Sequence, residues 1–558
     1  MKNQSYKCGA ATTPLIYDTI GNLFDITVAR FPDSEALIIP HQGIRWTYRE
    51  YQQQVNRLAT GLLALGIEPG DRVGIWAPNC YEWCLTQFAT AKIGAILVCI
   101  NPAYRLYELE YALNKVQCRA IVTAEVFKTS RYLEMLQTLA PELAGCEPGK
   151  LKSAKLPALE TVIRLGEGKT PGMHNFGDIC RLGGADELAR MTELAGLLSP
   201  DDAINIQFTS GTTGNPKGAT LSHCNVLNNG QVNGDVMQLT ERDKVCIPVP
   251  LYHCFGMVIG NLGCVTHGSA AVFPGEAFDP LATLQVVAEE HCTVLHGVPT
   301  MFIAELEHPQ FGQFDFSHLR TGIMAGAPCP VEVMKKVIDK MHMEQILIAY
   351  GQTELSPVSH ITEPHDPLEK RVGTVGKPCP HLETKIVDET NRVVAIGDKG
   401  EICTRGYAVM RGYWDDEEKT CETIDQGGWL HSGDIGVMDD DGYVQVTGRI
   451  KDMIIRGGEN VYPREVEEFL YTHPSIQEVQ VVGVPDERLG EQVCAWIKCH
   501  EGQTLSEDDV REFCRDKITH FKVPRYIRFV EDYPMTVTGK IMKFKMRDAM
   551  VEELGLKV

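Results

Sequence analysis

The stretch from residue 204 to residue 222, INIQFTSGTTGNPKGATLS, contains side chains suited to binding phosphate. An alternating apolar strand runs into a loop from Thr209 to Gly218, which holds three glycines, four hydroxyl side chains and Lys217. Glycines let backbone N–H groups approach an anion, and hydroxyls and a lysine donate to its oxygens. The loop is not a Walker A motif, because Lys217 follows Pro216 and precedes Gly218. It predicts a phosphate cradle, although an ordinary flexible loop has a similar composition.

Three other side chains could serve a nucleotide. Tyr350 ends the apolar run LIAYG, and its ring offers a flat face for a base. Glu354 supplies the hard oxygen ligand that Mg²⁺ prefers. Asp434, in the turn before IGVMDDDGY, could accept hydrogen bonds from two ribose hydroxyls. Seen singly, Tyr350 is as readily a core tyrosine, a loop glutamate such as Glu354 is far more often solvated, and Asp434 could simply cap its turn. The order of the motifs along the chain therefore decides the interpretation.

Seven motifs occur in the order found in the adenylate-forming superfamily of acyl-CoA synthetases, peptide-synthetase adenylation domains and luciferases, which the chain resembles over nearly its whole length. The motifs are TSGTTGNPKG (209–218), PLYHCFGM (250–257), AGAP (325–328), YGQTE (350–354), SGD (432–434), GRIKDMIIRGGENVYPREVE (448–467) and TGKIMK (538–543). The overall pattern looks most like the medium-chain fatty-acyl-CoA synthetase subgroup.

The resemblance implies a role for each matching position. The implied ATP- and AMP-binding residues are Thr209, Ser210, Gly211, Thr212, Thr213, Gly214, Lys217, Gly218, Gly326, Ala327, Pro328, Tyr350, Gly351, Asp434 and Arg449. The implied catalytic residues are Lys540, Thr353, Glu354 and His253, with Glu354 as a Mg²⁺ ligand and His253 as a gate beside the acyl pocket. By the same resemblance, Lys451 is a hinge, and Gly457, Gly458 and Glu459 border the pantetheine arm of CoA.

These groups match the chemistry of acyl activation. A carboxylic acid is already ionised at neutral pH, so its attack on ATP needs no general base. The obstacle is repulsion between the carboxylate and the triphosphate, which is about 4 kcal/mol per charge pair at 4 Å and an effective dielectric of 20. Mg²⁺ at Glu354, together with Lys217 and Lys540, would supply the opposing charge. The thiol of CoA then needs access that Lys540 would obstruct, and rotation about Lys451 would provide it.

The sequence therefore predicts an ATP-dependent acid:CoA ligase for a fatty acid, with ATP and CoA as co-substrates. Apolar residues after His253, namely Phe255, Met257 and Val258, suggest an apolar acyl tunnel together with Val298 and Met301. The alternatives are an aromatic-acid:CoA ligase, an adenylation enzyme that loads a separate carrier protein, and an oxygenase of the luciferase type. A non-catalytic nucleotide sensor fits less well, because Lys540, Glu354 and the hinge are all present.

The composition restricts the possible binding partners and the cellular compartment of the protein. The net charge of -21 argues against general binding to nucleic acid, whose phosphates require a basic surface. Nineteen cysteines without a C-x-x-C pair or a signal-like N-terminus favour a reducing, cytoplasmic location. No apolar run approaches the roughly 20 residues of a transmembrane helix. Assembly into a homo-oligomer is left open.

The order of elements predicts an α/β fold with two domains. Short apolar runs alternate with helical segments from Asp71 onward, which indicates two doubly wound lobes with parallel sheets. Turn signals between Arg371 and Gly448 indicate a β-rich subdomain. A small mobile α+β domain is expected after Lys451, so the predicted domains are 1–450, for AMP binding, and 451–558.

Overall fold

Two large sheets with parallel strands at their centres dominate the computed structural model, which describes residues 4–209, 216–327, 329–457, 459–515, 517–536 and 540–556. The first sheet has eight strands, in spatial order His174–Asn175, Thr161–Arg164, Ala120–Thr123, Arg72–Trp76, Ile96–Cys99, Ala203–Thr209, Lys217–Ser222 and Gly412–Tyr413. The second has nine, in spatial order Lys377–Pro378, Val358–Ile361, Gln345–Gly351, Thr321–Ala325, Val294–Leu295, Lys244–Cys246, Ala270–Val272, Glu35–Ile39 and Ile44–Thr47. Antiparallel pairs lie at the margins of both sheets. The predicted pair of doubly wound lobes is confirmed.

Helices connect and cover these strands. Tyr81–Ile93 is buried along nearly its whole length and ends at Gly94, whose φ of 72° is in the left-handed region that favours glycine. Tyr48–Ala64 begins with a capping box between Thr47 and Glu50. The α-helices within the described residues are Ile20–Arg30, Tyr48–Ala64, Tyr81–Ile93, Leu106–Lys115, Tyr132–Leu139, Phe176–Ile179, Ala185–Ala195, His223–Val236, Gly263–His267, Pro280–Glu289, Pro299–Leu306, Val331–Met341, Leu368–Gly373, Glu417–Thr423, Pro463–Leu470, Glu507–Cys514 and Lys543–Leu554.

Short helical turns and one small ribbon complete the connections. The shorter elements are the 3₁₀ turns Pro40–Gln42, Pro141–Gly145, Phe311–Gln313, Thr353–Leu355, Ile450–Asp452 and His520–Lys522, the π-helix Phe255–Leu262, and the two-stranded ribbon Val126–Phe127 with Ser130–Arg131. Among the helices of the described ranges, none combines the length and the apolar character needed to cross a bilayer.

The predicted β-rich subdomain is a five-stranded antiparallel sheet. Its strands, in spatial order, are Tyr6–Cys8, Leu382–Val387, Gly400–Gly406, Leu430–Met438 and Val444–Arg449. The first of them comes from the N-terminus and pairs with Leu382–Val387. This pairing joins parts of the chain that are far apart in sequence, and the local pattern did not predict it.

The C-terminal part forms a separate α+β unit with its own apolar core. Its sheet contains Glu459–Val461, Ile454–Arg456, Gly490–Cys499, Ile476–Asp486 and Tyr526–Phe529, with the last strand parallel to Gly490–Cys499. The preceding sheet ends at Arg449 and this one begins at Ile454, so the 3₁₀ turn Ile450–Asp452 connects the two. The domain boundary at residue 450 remains a proposal.

One buried carboxyl group is out of keeping with its apolar surroundings. Glu305 lies on Pro299–Leu306 with 1% of its surface exposed. Neither of its carboxylate oxygens has a hydrogen-bond partner among the described residues. Burial raises the pKa of Glu305 well above its usual value. The carboxyl group is therefore protonated over much of the pH range in which other glutamates are ionised.

This burial predicts a pH-dependent loss of stability. Because the pKa of Glu305 is higher in the folded than in the unfolded chain, its contribution is full below the unfolded pKa near 4.5 and is lost as pH rises toward the folded pKa. The loss is up to about 1.4 kcal/mol per pH unit. We expect Glu305→Gln to flatten the fall in Tm between pH 5 and pH 8, measured by scanning calorimetry.

The matched control is Glu344→Gln, since Glu344 is exposed and should leave the slope unchanged. An identical slope for Glu305→Gln and the unmutated protein would contradict the buried, protonated state of Glu305.

Candidate nucleotide and acyl site

The predicted phosphate loop connects two antiparallel strands of the first sheet. Thr209 and Lys217 are cross-strand partners on either side of it, and the Thr209 hydroxyl lies 3.4 Å from the Lys217 carbonyl oxygen. Gly218 is closely packed, because a Cβ there would lie 3.0 Å from Ile206. The loop residues Ser210, Gly211, Thr212, Thr213 and Gly214 lie outside the described residues, so their predicted contacts with phosphate stay predictions.

Tyr413, which the sequence did not indicate, links the side chains of Lys217 and Glu354. The Lys217 Nζ donates to the Tyr413 hydroxyl at 2.9 Å, and that hydroxyl donates to Glu354 Oε1 at 2.7 Å. The Lys217 Nζ also lies 4.1 Å from the centre of the Tyr413 ring. Burial lowers the pKa of Lys217, and the Glu354 carboxylate opposes that shift. Tyr413 therefore positions a cation and a carboxylate beside the phosphate loop.

Glu354 is held by its own backbone as well as by Tyr413. It lies in the 3₁₀ turn Thr353–Leu355, is 9% exposed, and its carbonyl oxygen accepts a 2.9 Å hydrogen bond from the Met410 N–H. Thr353, the first residue of that turn, lies near the Cys254 thiol. A fixed carboxylate beside a lysine is suited to hold a divalent cation that bridges phosphates, so the residues present fit the predicted Mg²⁺.

Asp434, Tyr350 and Arg449 form a second polar group. The Tyr350 hydroxyl donates to Asp434 Oδ2 at 2.7 Å, and the Arg449 Nε lies 2.8 Å from Asp434 Oδ1. Asp434 and Arg449 are direct cross-strand partners. The Asp434 carboxylate raises the pKa of Arg449, and burial followed by that same charge raises the pKa of Tyr350. The carboxylate predicted to bind ribose is thus oriented by two donors.

The predicted adenine site lies at the carboxyl edge of the second sheet. Ala325 and Ala349 are partners in adjacent parallel strands, so the segments that follow them, Gly326–Ala327 and Tyr350–Gly351, emerge side by side. Gly326 has a φ of 89°, which favours glycine. At Gly351 a Cβ would lie 1.9 Å from the Pro357 carbonyl oxygen, so the close approach of two backbones excludes a side chain. Pro328 lies outside the described residues.

Lys540, from the C-terminal unit, lies within electrostatic range of both polar groups. The Thr536 N–H donates to the Lys540 carbonyl at 2.7 Å, and the Lys540 N–H donates to the Thr536 hydroxyl at 3.1 Å. Surrounding protein and the Arg449 charge lower the pKa of Lys540, whereas Glu354 and Asp434 raise it. Lys540 still has exposed surface. We call the region around Lys540, Glu354 and Asp434 the cleft.

His253 borders the same cleft. Its Nδ1 accepts a 3.2 Å hydrogen bond from the Phe255 N–H, where the π-helix Phe255–Leu262 begins. Burial and the nearby Lys540 charge lower the pKa of His253 to about 3. The imidazole is therefore neutral at pH 7 and is a weak base, which favours the predicted gate over proton abstraction. The gate itself stays a prediction.

A small cavity of about 40 Å³ adjoins the motif that carries His253. It is lined by residues that include Pro250, Tyr252, Phe278 and Met301. Of the predicted acyl-tunnel residues, Met257 lies deeper in the fold, where its sulfur accepts a 3.6 Å contact from the Gln207 amide. The side-chain oxygen of Gln207, Oε1, in turn accepts a 2.9 Å hydrogen bond from the Cys254 thiol. Sequence reasoning missed this buried polar contact beside the acyl side of the site.

The predicted hinge and CoA residues lie at the start of the C-terminal unit. Lys451 is the middle residue of the 3₁₀ turn Ile450–Asp452, and its charge reaches Lys217 closely enough to lower that lysine's pKa. Gly457 turns the chain between two strands with a φ of 63°, and its N–H donates to the Leu489 carbonyl at 2.7 Å. Glu459 is exposed, and Gly458 lies outside the described residues. The CoA-binding role of this turn stays a prediction.

Two family models and several near-complete relatives match this chain. Residues 24–414 match the family model described as AMP-binding enzyme, and residues 465–540 match the AMP-binding enzyme C-terminal domain. A putative acyl-CoA synthetase, YngI, of Bacillus subtilis is 49% identical over 97% of this chain and 99% of its own length. The mitochondrial medium-chain acyl-CoA ligase ACSF2 of Danio rerio is 48% identical over 99% of this chain and 91% of its own length.

A solved structure extends the likeness to the whole fold. The anthranilate CoA ligase AuaEII in complex with anthranoyl-AMP superposes with a TM-score of 0.86 and 29% identity, over 98% of this chain and 99% of that one. Both family models, the near-complete relatives and the two polar groups around one cleft agree. The chain therefore belongs to the adenylate-forming superfamily of AMP-binding enzymes, among its acyl-CoA synthetases.

Proposed function

We propose that this protein activates a medium-chain fatty acid with ATP and transfers the acyl group to CoA, releasing pyrophosphate and then AMP. The observation that carries the proposal is the convergence of Lys217, Glu354 and Lys540 on one cleft. These residues come from three separate motifs and from both parts of the chain. A lysine from each side of a cleft, with a fixed carboxylate between them, is suited to phosphoryl chemistry on ATP.

The first step joins two anions. A carboxylate oxygen of the acid forms a bond to the α-phosphorus of ATP, and the bond from that phosphorus to pyrophosphate breaks. Lys217 and Lys540 offset the charge that builds up, and Tyr413 keeps Lys217 in place. Mg²⁺, which Glu354 would hold, supplies further positive charge on the phosphates when bound. Asp434, oriented by Tyr350 and Arg449, would bind the ribose.

In the second step the acyl carbon exchanges its bond to AMP for a bond to the sulfur of CoA. The CoA thiol attacks the acyl carbon, the bond from that carbon to the AMP oxygen breaks, and the thiol proton is lost to solvent. A neutral His253 can withdraw without carrying a charge out of the cleft. Lys540 must leave for the thiol to enter, and the turn Ile450–Asp452 between the two sheets is the proposed hinge. Gly457, Gly458 and Glu459 would then border the pantetheine arm.

The medium-chain substrate is supported by the apolar side of the cleft and by similarity to the ACSF2 ligases. Phe255, Met257 and Val258 are buried behind His253, where an alkyl chain could be held by apolar contacts. An aromatic acid is the competing substrate class, because the structurally similar AuaEII is an anthranilate CoA ligase. Metabolically, the proposal assigns the protein to fatty-acid activation.

The proposed location of the protein is the cytoplasm, a reducing compartment. All nineteen cysteines are unpaired in the structure, and most of them are buried. Burial in apolar surroundings raises the pKa of most of these thiols and keeps them unreactive, which suits a protein that never forms disulfides.

The decisive experiment measures AMP release with ATP, Mg²⁺, CoA and a panel of short-, medium- and long-chain fatty acids and of aromatic acids. We expect CoA-dependent AMP formation with kcat/KM highest for a medium-chain acid. If kcat/KM were instead highest for benzoate-like acids, the substrate would be an aromatic acid and not a fatty acid. AMP formation that requires an acyl carrier protein and not CoA would overturn the ligase proposal.

Lys540→Ala separates the two half-reactions. We expect acid-dependent exchange of pyrophosphate into ATP to fall about 100-fold or more, the loss typical of a donor that stabilises transition-state charge. Thioester formation from supplied acyl-adenylate should remain measurable. The control is Lys545→Ala, since Lys545 is exposed on Lys543–Leu554 and should leave both steps unchanged. An equal loss in both half-reactions would contradict the assigned role.

Lys451→Pro tests the hinge. Proline fixes φ near −65° and restricts the residue before it, so rotation about position 451 should be blocked. We expect pyrophosphate exchange to persist while thioester formation from acyl-adenylate and CoA is lost, with Lys451→Ala as the flexible control. Normal thioester turnover in the proline variant would place the rotation elsewhere in the chain.

A further inference from the structure

Three metal-ligating side chains meet on the antiparallel third sheet. Glu401 and Cys403 are two residues apart on the strand Gly400–Gly406, so their side chains point to the same face. His431, on the strand Leu430–Met438, is the direct cross-strand partner of Cys403. The sheet therefore places a carboxylate, a thiol and an imidazole side by side, and none of them is used by the proposed reaction.

The distances suit one transition-metal ion. His431 Nδ1 lies 2.7 Å from Glu401 Oε2 and 3.4 Å from Cys403 Sγ. One ligand atom from each residue lies within 4.8 Å of the other two. In a tetrahedral zinc site the metal–ligand bonds of about 2.0–2.3 Å separate neighbouring ligand atoms by roughly 3.3–3.7 Å. A small movement of the Glu401 carboxylate would be enough to admit the ion.

A hydrogen bond orients Glu401, and a second carboxylate lies near the other side of the His431 ring. The other oxygen of Glu401, Oε1, accepts a 2.9 Å hydrogen bond from the Gly433 N–H, which leaves Oε2 directed at His431. The other ring nitrogen of His431, Nε2, lies 3.7 Å from Asp425 Oδ2. A histidine ligand usually donates its second N–H to a carboxylate, which sets the tautomer that leaves the first nitrogen free for metal.

The three proposed ligands lie partly in the apolar interior and partly at the protein surface. Cys403 is fully buried in an apolar cluster with Val387 and Trp429. Glu401 and His431 keep about a fifth of their side-chain surfaces exposed, at 19% and 23%. A metal could therefore enter from solvent on the carboxylate and imidazole side and reach the thiol beneath. One carboxylate and one thiolate would balance the charge of a divalent ion.

We propose that Glu401 Oε2, Cys403 Sγ and His431 Nδ1 form a binding site for Zn²⁺, with the fourth position open to water. A thiolate with an imidazole selects zinc or cobalt over the harder Mg²⁺, which distinguishes this site from the one assigned to Glu354. The site lies next to the nucleotide group, since Ser432 and Gly433 separate His431 from Asp434. Bound zinc would fix the segment that presents the Asp434 carboxylate.

The first test uses cobalt as a spectroscopic substitute for zinc. Metal-depleted full-length protein is titrated with Co²⁺, and we expect one ion per chain, thiolate-to-cobalt charge-transfer absorption, tetrahedral d–d bands and displacement by Zn²⁺. Cys403→Ser should lose the charge-transfer band. Asp425→Asn should bind zinc about 10–100-fold more weakly, as outer-shell changes do. The control is Cys421→Ser, since Cys421 is an exposed thiol of the same subdomain.

The second measurement needs no variant, so a folding defect in Cys403→Ser cannot confuse the result. X-ray absorption of the zinc-loaded unmutated protein should show one sulfur and two or three nitrogen or oxygen neighbours. Several outcomes would overturn the proposal: no stoichiometric binding, a zinc ion with no sulfur ligand or with more than one, or a charge-transfer band that survives Cys403→Ser at full affinity. In the first case Glu401 and His431 form a simple ion pair.

Discussion

Repulsion between an ionised acid and the phosphates of ATP is the constraint around which this structure is organised. At an effective dielectric of 20, each close pair of like charges costs about 4 kcal/mol, so cations must be held where the anions meet. Holding a lysine there is itself unfavourable, because burial and, to a lesser degree, neighbouring cations lower the pKa of Lys217 and of Lys540. Glu354 and Tyr413 offset it for Lys217, and Glu354 with Asp434 offsets it for Lys540.

The same constraint explains why the active site is divided between two parts of the chain. Lys540 comes from a separate α+β unit that is joined through the turn Ile450–Asp452. A lysine fixed permanently in the cleft would serve adenylation but would obstruct the thiol. In the proposed mechanism the lysine leaves with a unit that has its own core, since the apolar cluster around Val479 and Val493 belongs to that unit. The division permits two reactions in one cleft.

The β-rich third sheet connects the nucleotide site to the rest of the molecule. Its strands present Asp434 and Arg449 as cross-strand partners, and its neighbouring strand carries Glu401 and Cys403. Glu401 holds the Gly433 N–H beside Asp434. The proposed zinc ligands would therefore act on the same short segment that carries Asp434, the carboxylate proposed to bind ribose, so bound zinc would affect ATP binding.

The sequence by itself determined the doubly wound lobes, the motif order and the family, because βαβ alternation and glycine-rich loops are local patterns. Its resemblance to the family also implied that Lys217, Glu354, Asp434 and Lys540 act at one site. Tertiary structure alone decided that Tyr413 bridges Lys217 and Glu354, that Tyr6–Cys8 completes the third sheet, and that Cys403 faces His431. Such contacts join distant segments, and their geometry depends on strand register, which local periodicity does not specify.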